Sequence, residues 1–311
     1  MKKFLIKLFR FLLRKCLVSF LPTSLQKKIA QLGFPNICLR DKKIDYVGKV
    51  FRSDFKIYAS TNVTIEREAT SYFINKTEPI LGMKNINFEN FVCVDVGANI
   101  GSISLFMIYL KAKKVLAFEP GPSYEKLCKN IKLNNLNNKI LPFKLGVNIE
   151  NDKFIWQEIG NHHNGYLKFL EKKSPSVDDK KIVEVVNLDE FLEKYGEQTI
   201  DFIKYDIEGM EYKAIMGSKK TIINNKPILV VEVQEGSSKI FKYDSINPIF
   251  ELMYSLNYKS YFFYENKFNL FEFPEVSIND NFELLFKKKI PNFIGDVFFI
   301  HQDKNYLIKN K

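Results

Sequence analysis

Histidine, cysteine and tryptophan are scarce in this chain: three, four and one among 311 residues. The cysteines Cys16, Cys38, Cys93 and Cys128 form no CxxC spacing and have no histidine set beside them. That excludes a zinc-ligand pattern and a disulfide scaffold, and it points to a reducing compartment. Cys93 alternates within an apolar run and reads as a small buried hydrophobe. Long uncharged runs are missing from the N-terminal segment; the longest, Cys16 to Leu21, stops at Pro22. So short an apolar run neither spans a bilayer nor forms a signal-peptide core, and a cytoplasmic protein is expected. No internal repeat occurs, and no Asn-Pro-Pro-Tyr-like motif of the kind that handles flipped bases.

Acids are outnumbered, and the net charge is +11. Such an excess favours an acidic partner. Much of it sits at the ends, at Lys2, Lys3, Lys7, Arg10, Arg14 and Lys15, then Lys304, Lys309 and Lys311, so nucleic acid is not the expected partner. As a helix, residues 1–22 would carry Lys3, Lys7, Arg10 and Arg14 on one stripe, opposite Phe4, Leu5, Leu8, Phe11 and Leu12. Two readings fit: peripheral contact with the inner face of an anionic membrane, or a helix packed on its own domain.

Residues 1–85 are expected to be an N-terminal extension, in which "KIDYVGKVFRSDFKIYAS" alternates like strands. Residues 86–311 are expected to form one domain in which strand and helix patterns alternate. "FVCVDVG", "KVLAFEP", "KILPFKLGV", "IDFIKYD" and "PILVVEV" read as strands, and "SISLFMIYLKA", "SYEKLCKNIKLNN" and "MEYKAIMGSKKTIINN" as single helices, with Ser123 a candidate N-cap. "KSYFFYE", "KFNLFEF" and "GDVFFIHQD" read as closing strands. This alternation predicts an α/β fold with a mostly parallel sheet and helices on both faces. Ligands of such sheets bind beyond the C-terminal strand ends.

One such end reads Asp95-Val96-Gly97-Ala98-Asn99-Ile100-Gly101. Glycines there permit a tight turn and close backbone approach to a ligand at the following helix N-terminus. The next strand ends in Glu119-Pro120, and Glu119 follows Gly97 at the spacing where an acid can accept ribose hydroxyls. A nicotinamide dinucleotide site would have glycine where Asn99 stands, and Asp95 sets a negative charge near any pyrophosphate. S-adenosylmethionine, with its cationic amino-acid end, suits the acid better. Asp206 and Glu232 end two further strands; if those are neighbours, both carboxylates meet over the same edge. They could orient an alcohol and take its proton, or hold a divalent metal ion. No His/Cys set supports a metal centre. His162 and His163 read as a solvated turn, and Trp156 as core packing or a surface that stacks a sugar ring.

"VDVGANIG", "AFEP", "KYDIEGMEYKAIMG" and "PILVVEV" resemble, in order and spacing, the blocks of the FkbM family of S-adenosylmethionine-dependent methyltransferases. The resemblance covers roughly residues 85 to 255. It implies a Rossmann-like class I methyltransferase fold with an antiparallel closing strand, and methyl transfer to a hydroxyl of a saccharide, glycan or other small molecule. It implies that Asp95, Gly97, Ala98, Asn99 and Gly101 line the methionine end of the cofactor and that Glu119 and Pro120 hold the ribose. Asp206, Glu208 and Glu232 would stand at the reaction centre. Alternatives are a cofactor-fold binding module without catalysis and a nicotinamide-dependent oxidoreductase.

Overall fold

The computed structural model describes residues 45–49, 55–60, 82–158, 165–169, 182–197, 199–233, 247–264, 267–271 and 295–307. The N-terminal stripe and His162–His163 lie outside these residues. In chain order the strands are β1 (Asp45–Lys49), β2 (Lys56–Ser60), β3 (Val92–Val96), β4 (Lys114–Phe118), β5 (Ile140–Phe143), β6 (Gly146–Asn148), β7 (Asp152–Glu158), β8 (Gly165–Phe169), β9 (Ile182–Asn187), β10 (Phe202–Tyr205), β11 (Ile228–Val233), β12 (Tyr258–Tyr264), β13 (Lys267–Phe271) and β14 (Gly295–His301). The helices are α1 (Ser102–Tyr109), α2 (Tyr124–Leu133), α3 (Leu188–Tyr195), α4 (Glu211–Met216), α5 (Lys219–Asn225) and α6 (Asn247–Ser255).

The main sheet has eight strands in the order β13-β12-β14-β11-β10-β3-β4-β5. The five strands from β11 to β5 are parallel; β14 runs antiparallel to β11, and β12 and β13 continue antiparallel beyond it. This is the Rossmann-like arrangement of methyltransferases, and the three closing strands β12, β13 and β14 fall where the patterns "KSYFFYE", "KFNLFEF" and "GDVFFIHQD" predict them. The chain leaves β3 for β4 on one side and later returns to β10 on the other. That reversal opens a crevice at the C-terminal ends of β3 and β10, where α/β sheets bind ligands.

Alternation along the strands builds two cores, one per face. Val92, Val94, Val96, Leu116, Phe118, Ile203 and Tyr205 pack with α3 to α6 on one face. Cys93, Val115, Ala117, Phe202, Val230 and Phe298 pack with Leu105, Phe106 and Met107 of α1 on the other. Cys93 is fully buried, as its setting in an apolar run predicts.

Three local expectations are corrected. "KILPFKLGV" is two strands: β5 closes the edge of the main sheet, where Pro142 tolerates its missing N–H, and β6 pairs with β9 in a second, four-stranded sheet of order β6-β9-β7-β8. "MEYKAIMGSKKTIINN" is two helices, because Asp189 of α3 accepts the backbone N–H groups of Lys220 and Thr221 at 2.8 Å each and so caps a new helix start. Ser123 makes no side-chain cap: its backbone is already helical (φ −66°, ψ −18°) and its carbonyl accepts from Lys126 and Leu127, but its hydroxyl bonds none of the helix N–H groups.

Strands β1 and β2 pair as an antiparallel hairpin, as the alternation predicted. The hairpin is tied to α2 by two asparagines one turn apart. Asn134 accepts the N–H of Lys56 (2.7 Å) and donates to its carbonyl (2.6 Å). Asn130 accepts the N–H of Tyr58 (2.5 Å) and donates to the carbonyls of Tyr58 (3.2 Å) and Ile100 (2.7 Å). The two amides thus stand in for a neighbouring strand. Ile57, between them, is fully buried in the α1-side core.

Candidate active site

Three loops meet at the crevice: 97–101 after β3, 119–123 after β4 and 206–210 after β10. Gly97 has φ +84°, and a β-carbon there would collide with the carbonyl oxygen of Asp206. Only glycine fits that backbone and that contact. The sequence alone suggested close approach to a ligand; what approaches this glycine is the chain itself, the loop after β10. Asn99 also adopts left-handed backbone (φ 50°).

Glu119 is 5% exposed, and both its oxygens are engaged: Oε2 accepts the N–H of Asn99 (2.9 Å) and Oε1 that of Gly121 (2.7 Å). Burial pushes its pKa up to about 7 against the pull of those two N–H groups. The first turn and the acid at the second strand end are therefore one hydrogen-bonded unit. An ionised carboxylate offers about four lone-pair sites, so two remain for a ligand. These two acceptor sites fit the hydroxyls of the ribose of an adenosine cofactor. Asp95 is 1% exposed, accepts the Ser104 hydroxyl (2.5 Å), and has its pKa raised by burial. Its charge lies behind the turn rather than open to the crevice.

The second group of acids gathers around a lysine that the strand pattern hid. Lys204 lies mid-strand in β10, 3% exposed, level with Asp95 on β3. Its Nζ is 2.5 Å from Asp206 Oδ2 and 3.8 Å from Asp296 Oδ1. Glu232 of β11 stands opposite Asp296 of β14, and its side chain is hydrogen-bonded to Asp206. Strands β10 and β11 are neighbours, so Asp206 and Glu232 do meet over one edge. They are not two carboxylates, however. Burial, then the Asp206 charge and hydrogen bond, push Glu232 up to about 10, so it keeps its proton at neutral pH. Burial opposes charge on Asp206 too, but Lys204 and the bond from Glu232 hold its pKa below the usual carboxylate value. Burial likewise opposes the charge on Lys204, and Asp206, Asp296, Asp95 and Glu232 together outweigh it and raise the lysine pKa. The Asp206 side chain is 39% exposed, against 4% for Lys204 and 13% for Asp296. Asp206 is thus the charged face of the cluster that reaches the crevice.

Glu208 follows in left-handed backbone (φ 57°), a conformation that costs a non-glycine residue about 1 kcal/mol or more. The loop is held by Glu211, 6% exposed, whose Oε1 accepts the N–H groups of Ile207 (2.9 Å) and Gly209 (3.2 Å). An acid at the start of the helix after the loop was the signal for Glu211, and a charge inside a fully apolar strand was the signal for Lys204. Asp296 gave none, because its role depends on register with a distant strand. Among the described residues, no group of three or more His, Cys, Asp or Glu is arranged to hold a metal ion. The position between Asp206 and Asp296 belongs to the Lys204 ammonium.

Residues 95–260 match the model of the methyltransferase FkbM domain. The chain belongs to the FkbM methyltransferase family. Family membership makes this a methyltransferase dependent on S-adenosylmethionine, and the match begins at Asp95 itself. Among curated proteins, the FkbM chain is similar to the methyltransferase sdnD of Sordaria araneosa, 28% identical over 194 residues, which are 52% of this chain and 73% of that protein. It is also similar to the tRNA(Phe) (4-demethylwyosine(37)-C(7)) aminocarboxypropyltransferase of Methanocaldococcus jannaschii, 34% identical over 148 residues, 45% of this chain and 54% of that one. Among solved structures, a methyltransferase FkbM from Methylobacillus flagellatus aligns with TM-score 0.42 and 16% identity, over 68% of this chain and 43% of the other. The M. jannaschii TYW2 structure in complex with AdoMet aligns with TM-score 0.37 and 15% identity, over 85% and 90%. The FkbM chain thus spans about half the length of the second curated relative and less than half of the first structure.

Proposed function

We propose that this FkbM methyltransferase moves a methyl group from S-adenosylmethionine to a hydroxyl oxygen of a saccharide, glycan or related small molecule. The observation that carries the reading is Asp206, a carboxylate kept ionised by Lys204 and exposed next to the Gly97 turn, across the crevice from Glu119. The cofactor supplies an electrophilic methyl group on a sulfonium. Glu119 accepts the ribose hydroxyls, and the turn from Gly97 to Gly101 borders the methionine end, with Asp95 as a charge behind it. Asp206 accepts a hydrogen bond from the acceptor hydroxyl, fixes its line of attack, and takes its proton as the oxygen–carbon bond forms and the sulfur–carbon bond breaks. Glu232, protonated, holds Asp206 in place and takes no proton itself. Glu208 lies further along the same loop.

The test is transfer of labelled methyl from S-adenosylmethionine to a panel of acceptors, read by mass spectrometry, with surface glycans compared in cells with and without the protein. A base-stable gain of one methyl on a hydroxyl supports the reading. Label found only on tRNA, the molecule named for one relative, or binding of NAD instead of S-adenosylmethionine, overturns it.

Two further outcomes are expected. The affinity for S-adenosylhomocysteine should rise about tenfold between pH 6 and pH 8, because Glu119 ionises near pH 7 and accepts ribose hydroxyls best as the carboxylate. The free protein changes the other way: it holds the Glu119 proton more tightly than the unfolded chain, so stability falls as pH rises from 4.5 through about 7. Calorimetry across this range checks both, and a flat affinity profile removes Glu119 from the cofactor site.

The basic stripe of residues 1–22 supports peripheral contact with an anionic membrane. Deleting those residues should leave S-adenosylhomocysteine affinity unchanged and weaken binding to phosphatidylserine vesicles, most visibly at low salt. If the full chain ignores vesicles and the shortened one is insoluble, the segment packs on protein instead.

A further inference from the structure

The single tryptophan of the chain, Trp156, lies on β7 of the small sheet, away in sequence from the strand ends of the main sheet that carry Asp95, Glu119 and Asp206. It has the wrong neighbours for a purely structural residue. A β-carbon on Gly121 would lie 2.5 Å and 2.6 Å from Cζ2 and Cη2 of its ring, and 2.9 Å from Glu119 Oε1. The benzene edge of the indole is thus pressed against the α-carbon of Gly121, beside the ribose-site carboxylate. Trp156 also packs against the cluster of Phe154, Val183, Val185 and Met210, on which Ile207 packs as well. The ring therefore bridges the loop after β4 and the loop after β10, the two loops that border the crevice.

Its Nε1–H is buried and has no hydrogen-bond partner among the described residues. Nε1 is joined through one carbon to Cζ2, the ring atom nearest Gly121, so the N–H belongs to the edge turned toward that loop. Indole N–H groups buried in proteins nearly always find an acceptor, because leaving one dry costs free energy. Glu119 does not provide it here: its two oxygens accept from the N–H groups of Asn99 and Gly121, and no bond from the indole reaches them.

We infer that Trp156 is a wall of the cofactor site, its indole packed against the nucleoside that Glu119 holds and its Nε1–H donated to a polar atom of that nucleoside. This rests on the assignment of the crevice to S-adenosylmethionine. It also gives the small sheet a function: β7 carries the aromatic surface across to the strand ends of the main sheet. Part of the specificity for the nucleoside then comes from β7, which lies between the strand-end blocks of the main sheet.

Because Trp156 is the only tryptophan, its emission reports on one place. The full-length protein is titrated with S-adenosylhomocysteine and separately with adenosine, following tryptophan emission, with calorimetry in parallel. Both ligands should change the emission saturably, and the S-adenosylhomocysteine midpoint should match the calorimetric Kd. Trp156→Phe should weaken S-adenosylhomocysteine and adenosine about five- to tenfold alike, the loss of one neutral hydrogen bond, with the thermal midpoint recorded to separate binding from folding. Unchanged emission together with calorimetric binding overturns the inference while leaving the cofactor assignment intact; the N–H is then bonded to water. Undiminished affinity in a folded Trp156→Phe does the same. If calorimetry finds no binding by the wild type, the cofactor assignment itself fails, and the inference with it. The wild-type titration needs no variant, so a poorly folding substitution does not block the test.

Discussion

Asp206→Asn should lower the turnover number by roughly two to three orders of magnitude with the affinity for S-adenosylhomocysteine unchanged within about threefold. Asn keeps the shape and an acceptor oxygen but cannot take a proton. The expected loss sits below the upper end of general-base effects for a physical reason: the ion pair with Lys204 at 2.5 Å keeps Asp206 charged and in the same stroke makes it a weak base. Much of its contribution is then orientation of the hydroxyl. The same pairing sets the pH profile. With its pKa held below the ordinary carboxylate value, Asp206 stays ionised through the neutral range, so the turnover number at saturating substrate should be flat from pH 6 to 8. The KM for S-adenosylmethionine should carry the dependence instead, through Glu119. Near-normal turnover by Asp206→Asn with the true acceptor would reduce Asp206 to a holder of the loop and move the search to Glu208. A turnover number that falls with a pKa near 7 would put the essential base elsewhere.

Lys204→Met should destabilise the fold by about 3 kcal/mol at pH 8, since removing one partner of a buried ionic cluster leaves the others uncompensated. The figure is taken from the low end of that range because the Asp206 side chain is 39% exposed and can recover some hydration. The sign with pH follows from the carboxylates. In the wild type Lys204 pulls the pKa of both Asp206 and Asp95 down, which adds stability above the ordinary carboxylate range. In the variant burial is opposed only by the hydrogen bonds from Ser104 and Glu232, the folded state binds protons more tightly, and the deficit shrinks as pH falls toward about 4. Denaturant unfolding at several pH values measures it. A deficit of the same size at every pH means that Lys204 acts only by filling space.

What could be read from the sequence was local in the chain. The strand, the left-handed turn at Gly97 and the acid at the end of the next strand belong to one short stretch, and the βαβ pattern forces their strand ends together. The charge cluster could be read only in half. Asp206 and Glu232 were visible as strand ends, but their protonation states depend on Lys204 and on Asp296, which arrives much later in the chain on an antiparallel strand. Register across the sheet, not composition, makes one a carboxylate and the other an acid. The small sheet was hidden for a related reason: β6 follows β5 almost at once, and nothing in "KILPFKLGV" says that its halves join different sheets.

The amide of Asn130 bonds the carbonyl of Tyr58 in the hairpin and that of Ile100 in the turn after β3 with the same nitrogen. The segment before the family-matched region is therefore coupled to the turn that Gly97 and Gly101 shape. One side chain thus fixes the position of β2 relative to that turn. Strands β1 and β2 act less as a tether than as a brace, seated in the core through Ile57 and joined to the turn through Asn130.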